Sequence, residues 1–358
     1  MAAETTAEAD DREAAGREDA TGDAPAGADS DRDDAALHPA FEAYADETVP
    51  SVGVGAPGKT GKLDLSFAVT DGTTRLVRDY ARVPFHVSGT LGHDPHPRGE
   101  AVYVQSPSGG IAQGDRHDVS IRAGEGAVAH VSTGSSTKVL SMDANYGGVA
   151  VDLQVDKGGH LEYVPEPLIL HADARYCQRL SVDLAPGASA VVGEVVVPGR
   201  LARGERFAFD RFASRLRARR EGRLLVADDA HLCPAEGDPT EPGVLGEYAV
   251  YGTLFVLAPD LAADDAMPSL ASFADALHAA AVDADGTDST SGTVADSDAD
   301  AETDTDVAAG ATALPNDAGV AIRALGHRTD AVVASLRAAW SEARTELVGA
   351  DVPPRRKN

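Results

Sequence analysis

Cysteine, tryptophan and lysine are all scarce in this 358-residue sequence, which holds two Cys, one Trp and five Lys. Cys177 and Cys233 lie far apart and neither belongs to a CxxC pair. A disulfide framework and a zinc cluster are therefore excluded, and two reduced thiols in a reducing compartment are expected. Aromatic residues make up 5% of the chain, too few for the stacked-ring platforms that grip sugars. No run approaches the length of a membrane span, and the acidic first residues carry no apolar segment of the signal-peptide kind. The cytoplasm is the expected location, with no membrane partner.

Positive charge is the other shortage, with 31 Lys and Arg against 58 acids and a net charge of -27. Its location is uneven. Residues 1–50 carry -12 and residues 283–306 carry -9, whereas 100–235 is nearly balanced at 17 acids against 15 bases. Acidic segments on a balanced body favour solubility and repel phosphate backbones, so no nucleic-acid partner is expected. They also predict a salt-rich, halophilic cytosol, since screening over about 3 Å at 1 M makes dense like charge tolerable.

The two acidic stretches contain almost no large aliphatics and predict disorder. This divides the chain into an acidic extension at 1–55, a β-rich core at 56–282, an acidic insertion at 283–312, a final strand and helix at 313–348, and a tail at 349–358.

Within the core the apolar residues alternate. Leu63, Leu65, Phe67 and Val69 form one such run, and Val149, Val151, Leu153 and Val155 another, with shorter runs at 119–121, 161–163 and 180–184. Each reads as a strand with one buried face. A strand, a Gly turn and a second strand recur three times, around Gly124, Gly158 and Gly187. That repeat suits stacked hairpins or the coils of a β-solenoid. Helical spacing appears only late, at 269–281 and from Thr329 through Val332, Leu336, Trp340, Ala343 and Leu347. The fold class is thus mainly β, a body of stacked sheets or solenoid-like coils with two C-terminal helices.

Several motifs offer chemistry. Residues 53–60 fit G-x-x-x-x-G-K-T, but a phosphate-cradling loop needs a helix behind it, and an alternating strand follows instead. Residues 106–115 (SPSGGIAQGD) are Gly-rich and end on Asp115, a capping residue or an exposed ligand. Thr137 and Lys138 close a small polar loop, STGSSTK, without a base to make a nucleophile. Glu194 interrupts the apolar run VVGEVVVPG, so it is matched to a cation such as Arg200, Arg203 or Arg206, held protonated, or exposed on an edge. Arginines at 211, 215, 217, 219, 220 and 223 make one hairpin face basic, suited to an acidic protein or to guarding an edge. His93 and His96 form the one close histidine pair, without a third ligand nearby.

In order, 107–115 (PSGGIAQGD), 133–138 (TGSSTK), 161–165 (LEYVP) and 199–207 (GRLARGERF) resemble the urease accessory family called UreD in many bacteria and UreH in others. GRLLV at 222–226 and VAIRALG at 320–326 agree as well. The family's Gln and acid after its LEWLP stand here as Glu166 and Pro167, a departure of one place. The resemblance implies a non-enzymatic scaffold that binds apo-urease and bridges it to UreF and the GTPase UreG, with no tightly bound cofactor and Ni2+ in transit. It also implies Asp115, Thr137, Glu194 and Asp228 on a nickel route of weak oxygen ligands, which release a metal that thiolates would trap. Lys138, Arg203, Glu205 and Trp340 are the expected partner contacts. Two other readings compete: a β-solenoid binding module unrelated to urease, and a nucleotide-binding enzyme using 53–60.

Overall fold

The computed structural model describes residues 38–49, 57–91, 94–261, 268–284 and 307–354. A short helix, α1 (Glu42–Ala45), precedes a hairpin of β1 (Thr60–Thr70) and β2 (Thr73–Arg82), then β3 (His86–Leu91) and β4 (Gly99–Gln105). Three coils follow. The first contains β5 (Arg116–Ala123), β6 (Val128–Thr133) and β7 (Thr137–Val139). The second contains β8 (Gly147–Val155), β9 (His160–Tyr163) and β10 (Leu168–Leu170), and the third β11 (Arg175–Leu184) and β12 (Ser189–Val197). The chain closes with a hairpin of β13 (Arg211–Arg220) and β14 (Arg223–Leu232), then β15 (Val250–Leu257), α2 (Leu270–Asp283), β16 (Val307–Ala313), β17 (Gly319–Gly326) and α3 (Thr329–Val348).

The threefold repeat is a set of coils, not of hairpins. In each repeat the first strand joins one sheet and the second crosses to the other, so β5, β8 and β11 pair in parallel, as do β6, β9 and β12. Four residues turn each corner, and the third is a glycine at positive φ: Gly126, Gly158 and Gly187. Only glycine takes that conformation freely. Gly126, not Gly124, is therefore the equivalent of Gly158. The corners are stitched together, with the Gly126 amide donating to the Lys157 carbonyl and the Gly158 amide to that of Pro186.

The first sheet runs β14-β13-β11-β8-β5-β1-β2, and the ten-stranded second sheet follows β16-β17-β15-β12-β9-β6-β4-β3, with β7 and β10 as a short third side. The two sheets face each other over a core that includes Leu65, Ile121, Leu153, Val182, Val131 and Leu161. Among the described residues the second sheet is the one buried along both faces, because α2 and α3 cover its back with Phe273, Leu277, Val332, Leu336 and Trp340, whereas the outer face of the first is covered locally by Phe41. This explains the sequence pattern. The first sheet alternates because one face meets water, whereas β12 and β15 read as nearly continuous apolar runs.

Ser269 caps α2 by accepting the Ser272 amide, and α3 ends on Gly349 at φ 69°. Both helices stand where the spacing puts them. The apolar face of α3 is spent inside the molecule, burying Val332, Leu336 and Trp340 at about 1.5–3 kcal/mol each, and leaves no such face for a partner.

Two pieces of the acidic segments join the fold. Phe41 is fully buried against Tyr146, Cys177 and Ala213, and Glu47 accepts the Asn145 amide and pairs with Arg175. Val307 packs against the helical layer at the start of β16. Composition had placed both outside the core, because single apolar residues vanish in an acidic average. Residues 1–37, 50–55 and 285–306 of these segments lie outside the described residues.

Candidate functional site

Alternation makes the site. On the first sheet β5 turns His117, Val119 and Ile121 inward, β11 turns Tyr176, Gln178 and Leu180, and β13 turns Phe212, Ser214 and Leu216. Strand register pairs His117 with Val149, Val149 with Gln178, and Gln178 with Ser214. One row across four strands is thus polar at three of its four inward positions. Opposite stands Glu194, from β12 of the second sheet. Its Oε1 accepts from Gln178 Nε2 at 2.7 Å and from Ser214 Oγ at 3.1 Å, and the Tyr176 hydroxyl donates to Gln178 at 2.7 Å.

No Lys or Arg pairs with Glu194 among the described residues. Burial pushes its carboxyl up to about 7, against the Ser214 and Gln178 hydrogen bonds and with help from the charge of Asp228. Of the three alternatives open in the sequence, the proton-holding one describes this group. Arg200 instead forks onto Glu205, and Arg206 donates to the carbonyls of Gly246, Glu247 and Tyr248. Burial, reinforced by Glu194, also pushes the Tyr163 phenol up to about 12, so that wall stays neutral.

Three cavities have Glu194 in their linings, and the two larger ones carry the site. The first, of about 190 Å³, is lined by His117, Thr133, Thr137, Lys138, Glu166 and Gln178. The second, of about 390 Å³, is lined by Ser214, Asp228, His231, Tyr251 and Arg323. Glu194 belongs to both linings, so it is enclosed by protein while part of its carboxylate looks into open space. His117 Nε2 and the Tyr251 hydroxyl are buried without a protein partner. Burial, opposed by the charge of Asp115 and aided by the smaller effect of Lys59, holds the His117 ring below the usual imidazole range, which favours the neutral ring at pH 7.

Thr137 thus lines the first cavity and Asp228 the second, with Glu194 in both linings, and Asp228 also pairs with Arg323. Asp115 stands apart. It is fully buried, and its two oxygens accept the amides of Lys59 at 2.7 Å and Ala112 at 3.0 Å, fastening the Gly-rich loop to the start of β1. Since Thr60 opens β1, a strand and not a helix follows the G-x-x-x-x-G-K-T stretch, whose first residues lie outside the described set. His93 lies outside it too, and His96 accepts the Arg98 amide. Among the described residues no group of three or more His, Cys, Asp or Glu is placed to hold a metal ion.

Lys138 and Arg203 are exposed and Glu205 is half-buried. Trp340 is a correction: it is only 5% exposed, stacks on His130 and donates Nε1 to Glu162 at 2.8 Å, because the second sheet covers the face it occupies. The basic hairpin is corrected as well. Arg215 and Arg217 pair with Asp229, Arg211 with Glu236 and Arg220 with Asp260, so the face is largely neutralised. Sequence reasoning passed over His117, Gln178 and Ser214. Their signal was present, since each is a polar residue at an inward position of an alternating strand.

Glu194 yields a pH prediction. A carboxyl raised from about 4.3 in the unfolded chain to near 7 binds its proton more tightly when folded. Its support for the fold is complete below the unfolded value and is lost as pH rises through 7. Glu194→Gln keeps both hydrogen bonds and should flatten the decline in stability between about pH 5 and 8, by up to about 3 kcal/mol, in urea unfolding midpoints. An unchanged slope would mean that the carboxyl titrates normally.

Comparison with known proteins places the chain. The family model described as UreD urease accessory protein matches residues 59–358. A urease accessory protein UreD of Haloarcula marismortui is 58% identical over 322 residues, covering 90% of this chain and 98% of that one. That of Natronomonas pharaonis is 43% identical over 323 residues, with 90% and 99% covered. UreD 2 of Streptomyces griseus is 34% identical over 305 residues, with 85% and 95% covered. With its coils, corners and four ordered motifs, the chain belongs to the UreD family of urease accessory proteins, which assist urease maturation and are not themselves enzymes.

Proposed function

We propose that this protein binds apo-urease, bridges it to UreF and the GTPase UreG, and lets Ni2+ pass between its two sheets by way of Glu194. The observation that carries the reading is the position of Glu194 in the linings of two mainly apolar cavities that carry a few polar side chains, held by neutral donors and free of any cationic partner among the described residues. A carboxyl with a value near 7 exchanges a proton for a metal ion at little cost around neutral pH. Thr137 and Glu166 on one side and Ser214 and Asp228 on the other offer oxygen, and His117 offers one neutral nitrogen. Such a set holds a borderline metal weakly, as cargo requires. Asp115 serves this route indirectly, by fastening the loop beside the first cavity. Work in the cytoplasm is part of the proposal; no helix among the described residues is long and apolar enough to cross a membrane.

The test uses a strain lacking this gene, complemented under limiting nickel. Glu194→Leu should lower nickel per urease active site at least tenfold, while the complex with urease is recovered in wild-type amount. Fully loaded urease with Glu194→Leu would sink the route. Fully loaded urease in the uncomplemented strain would sink the function.

A further inference from the structure

Beside the first cavity runs an open groove with an apolar floor of Ile169, Val197 and Leu201 and a rim that carries Lys138, Arg203 and His171. Its charge is unusual for this chain. Most arginines of the body are paired with acids, yet Lys138 and Arg203 have no ion-pair partner among the described residues. Glu205, two residues after Arg203, is taken by the fork of Arg200. Lys138 and Arg203 thus leave two net positive charges on a groove that belongs to a protein of net charge -27. His171 adds none, because burial and then the charge of Arg200 hold it below the usual imidazole range.

We infer that this groove is a docking site for a segment of another protein in the maturation complex, one carrying an apolar side chain flanked by carboxylates. The apolar residue would cover Ile169 and Val197, and the carboxylates would meet Lys138 and Arg203, whose charges draw such a segment in and fix its register. The groove shares Ser136 and Lys138 with the lining of the first cavity, so its occupant sits at the cavity mouth. The inference rests on the function proposed above and adds where the partner sits and what recognises it.

The test treats the tagged full-length chain, purified from native cells with its partners, with a zero-length carbodiimide that joins lysine amines to carboxylates. With only five lysines in the chain, the products of Lys138 are readily assigned by mass spectrometry. Lys138 is expected to join an Asp or Glu of a urease subunit or another maturation protein. K138E/R203E should cut recovery of that protein at least tenfold, K138Q/R203Q less, with unfolding midpoints unchanged in both, and added salt should weaken recovery. The inference fails if Lys138 joins only the acidic stretch 285–306 of its own chain, joins only a second copy, or joins nothing. It fails equally if both double variants recover the partner in full. If the wild-type chain recovers no maturation protein at all, the proposed function falls and the groove proposal with it.

Discussion

Arg344→Met is expected to destabilise the fold by about 3–5 kcal/mol, read as a lower urea midpoint at unchanged slope. Arg344 is fully buried in α3, where Nη2 reaches Asp94 Oδ1 at 2.6 Å, Nε lies 3.3 Å from Glu162 Oε1, and Nη1 donates to the Asp351 carbonyl at 2.9 Å. Methionine fills the space but leaves two carboxylates buried without their cation. Burial alone would push the Glu162 carboxyl up. Hydrogen bonds from His130 and His160, and then the charge of His160 and Arg344, overcome that and hold it well below the usual range. The contribution of Glu162 is therefore present at neutral pH and lost only in acid. Adding Asp94→Asn and Glu162→Gln to Arg344→Met should recover much of the loss, since the cost lies in the unpaired charge and not in the missing volume. A triple variant no more stable than the single one would refute that cause.

Gly199→Ala should cost about 2–4 kcal/mol and disturb the groove as well. Gly199 has φ 148°, and a methyl group there would fall 1.5 Å from the Glu205 carbonyl oxygen and 2.5 Å from its carbon. Backbone cannot yield as a side chain can, so the loop would have to open, parting Arg200 from Glu205. Gly204→Ala is the control. It shares the positive φ, at 74°, but its methyl group meets nothing within 4 Å, and it should cost only the about 1–2 kcal/mol of the left-handed conformation. Equal losses at the two positions would show that conformation, not collision, decides the effect. Thermal unfolding of the three chains separates the cases.

Much of this architecture was legible in the residues. Period-two runs marked the strands of the first sheet because one face meets water, and the repeat around the turn glycines announced stacked units, hairpins or coils. Hairpins and coils share that local signature. What separates them is whether β5 pairs with β6 or with β8, a long-range choice that no short window records. Glu194 was marked as anomalous by its apolar neighbours, but its company was not. Gln178 and Ser214 are 16 and 20 residues away in sequence, and each looks ordinary in its own strand. Trp340 misled for a related reason: helical spacing tells which residues share a face, and only the sheet behind them tells whether that face is open. The arginine run was likewise half legible, since its counter-charges at Asp229, Glu236 and Asp260 arrive from turns and strands farther along.

The buried knot at Arg344 bears on how the chain is made. It ties residues 94, 162, 344 and 351 at one point, so a ribosome will have produced both acids long before their base emerges. Until residue 351 is clear of the exit tunnel, the back of the second sheet faces water, with Glu162 lacking its Arg344 partner and its apolar neighbours bare. A nascent chain stalled in that interval would be a client for holding chaperones, and the closing helix is the step that ends its need for them.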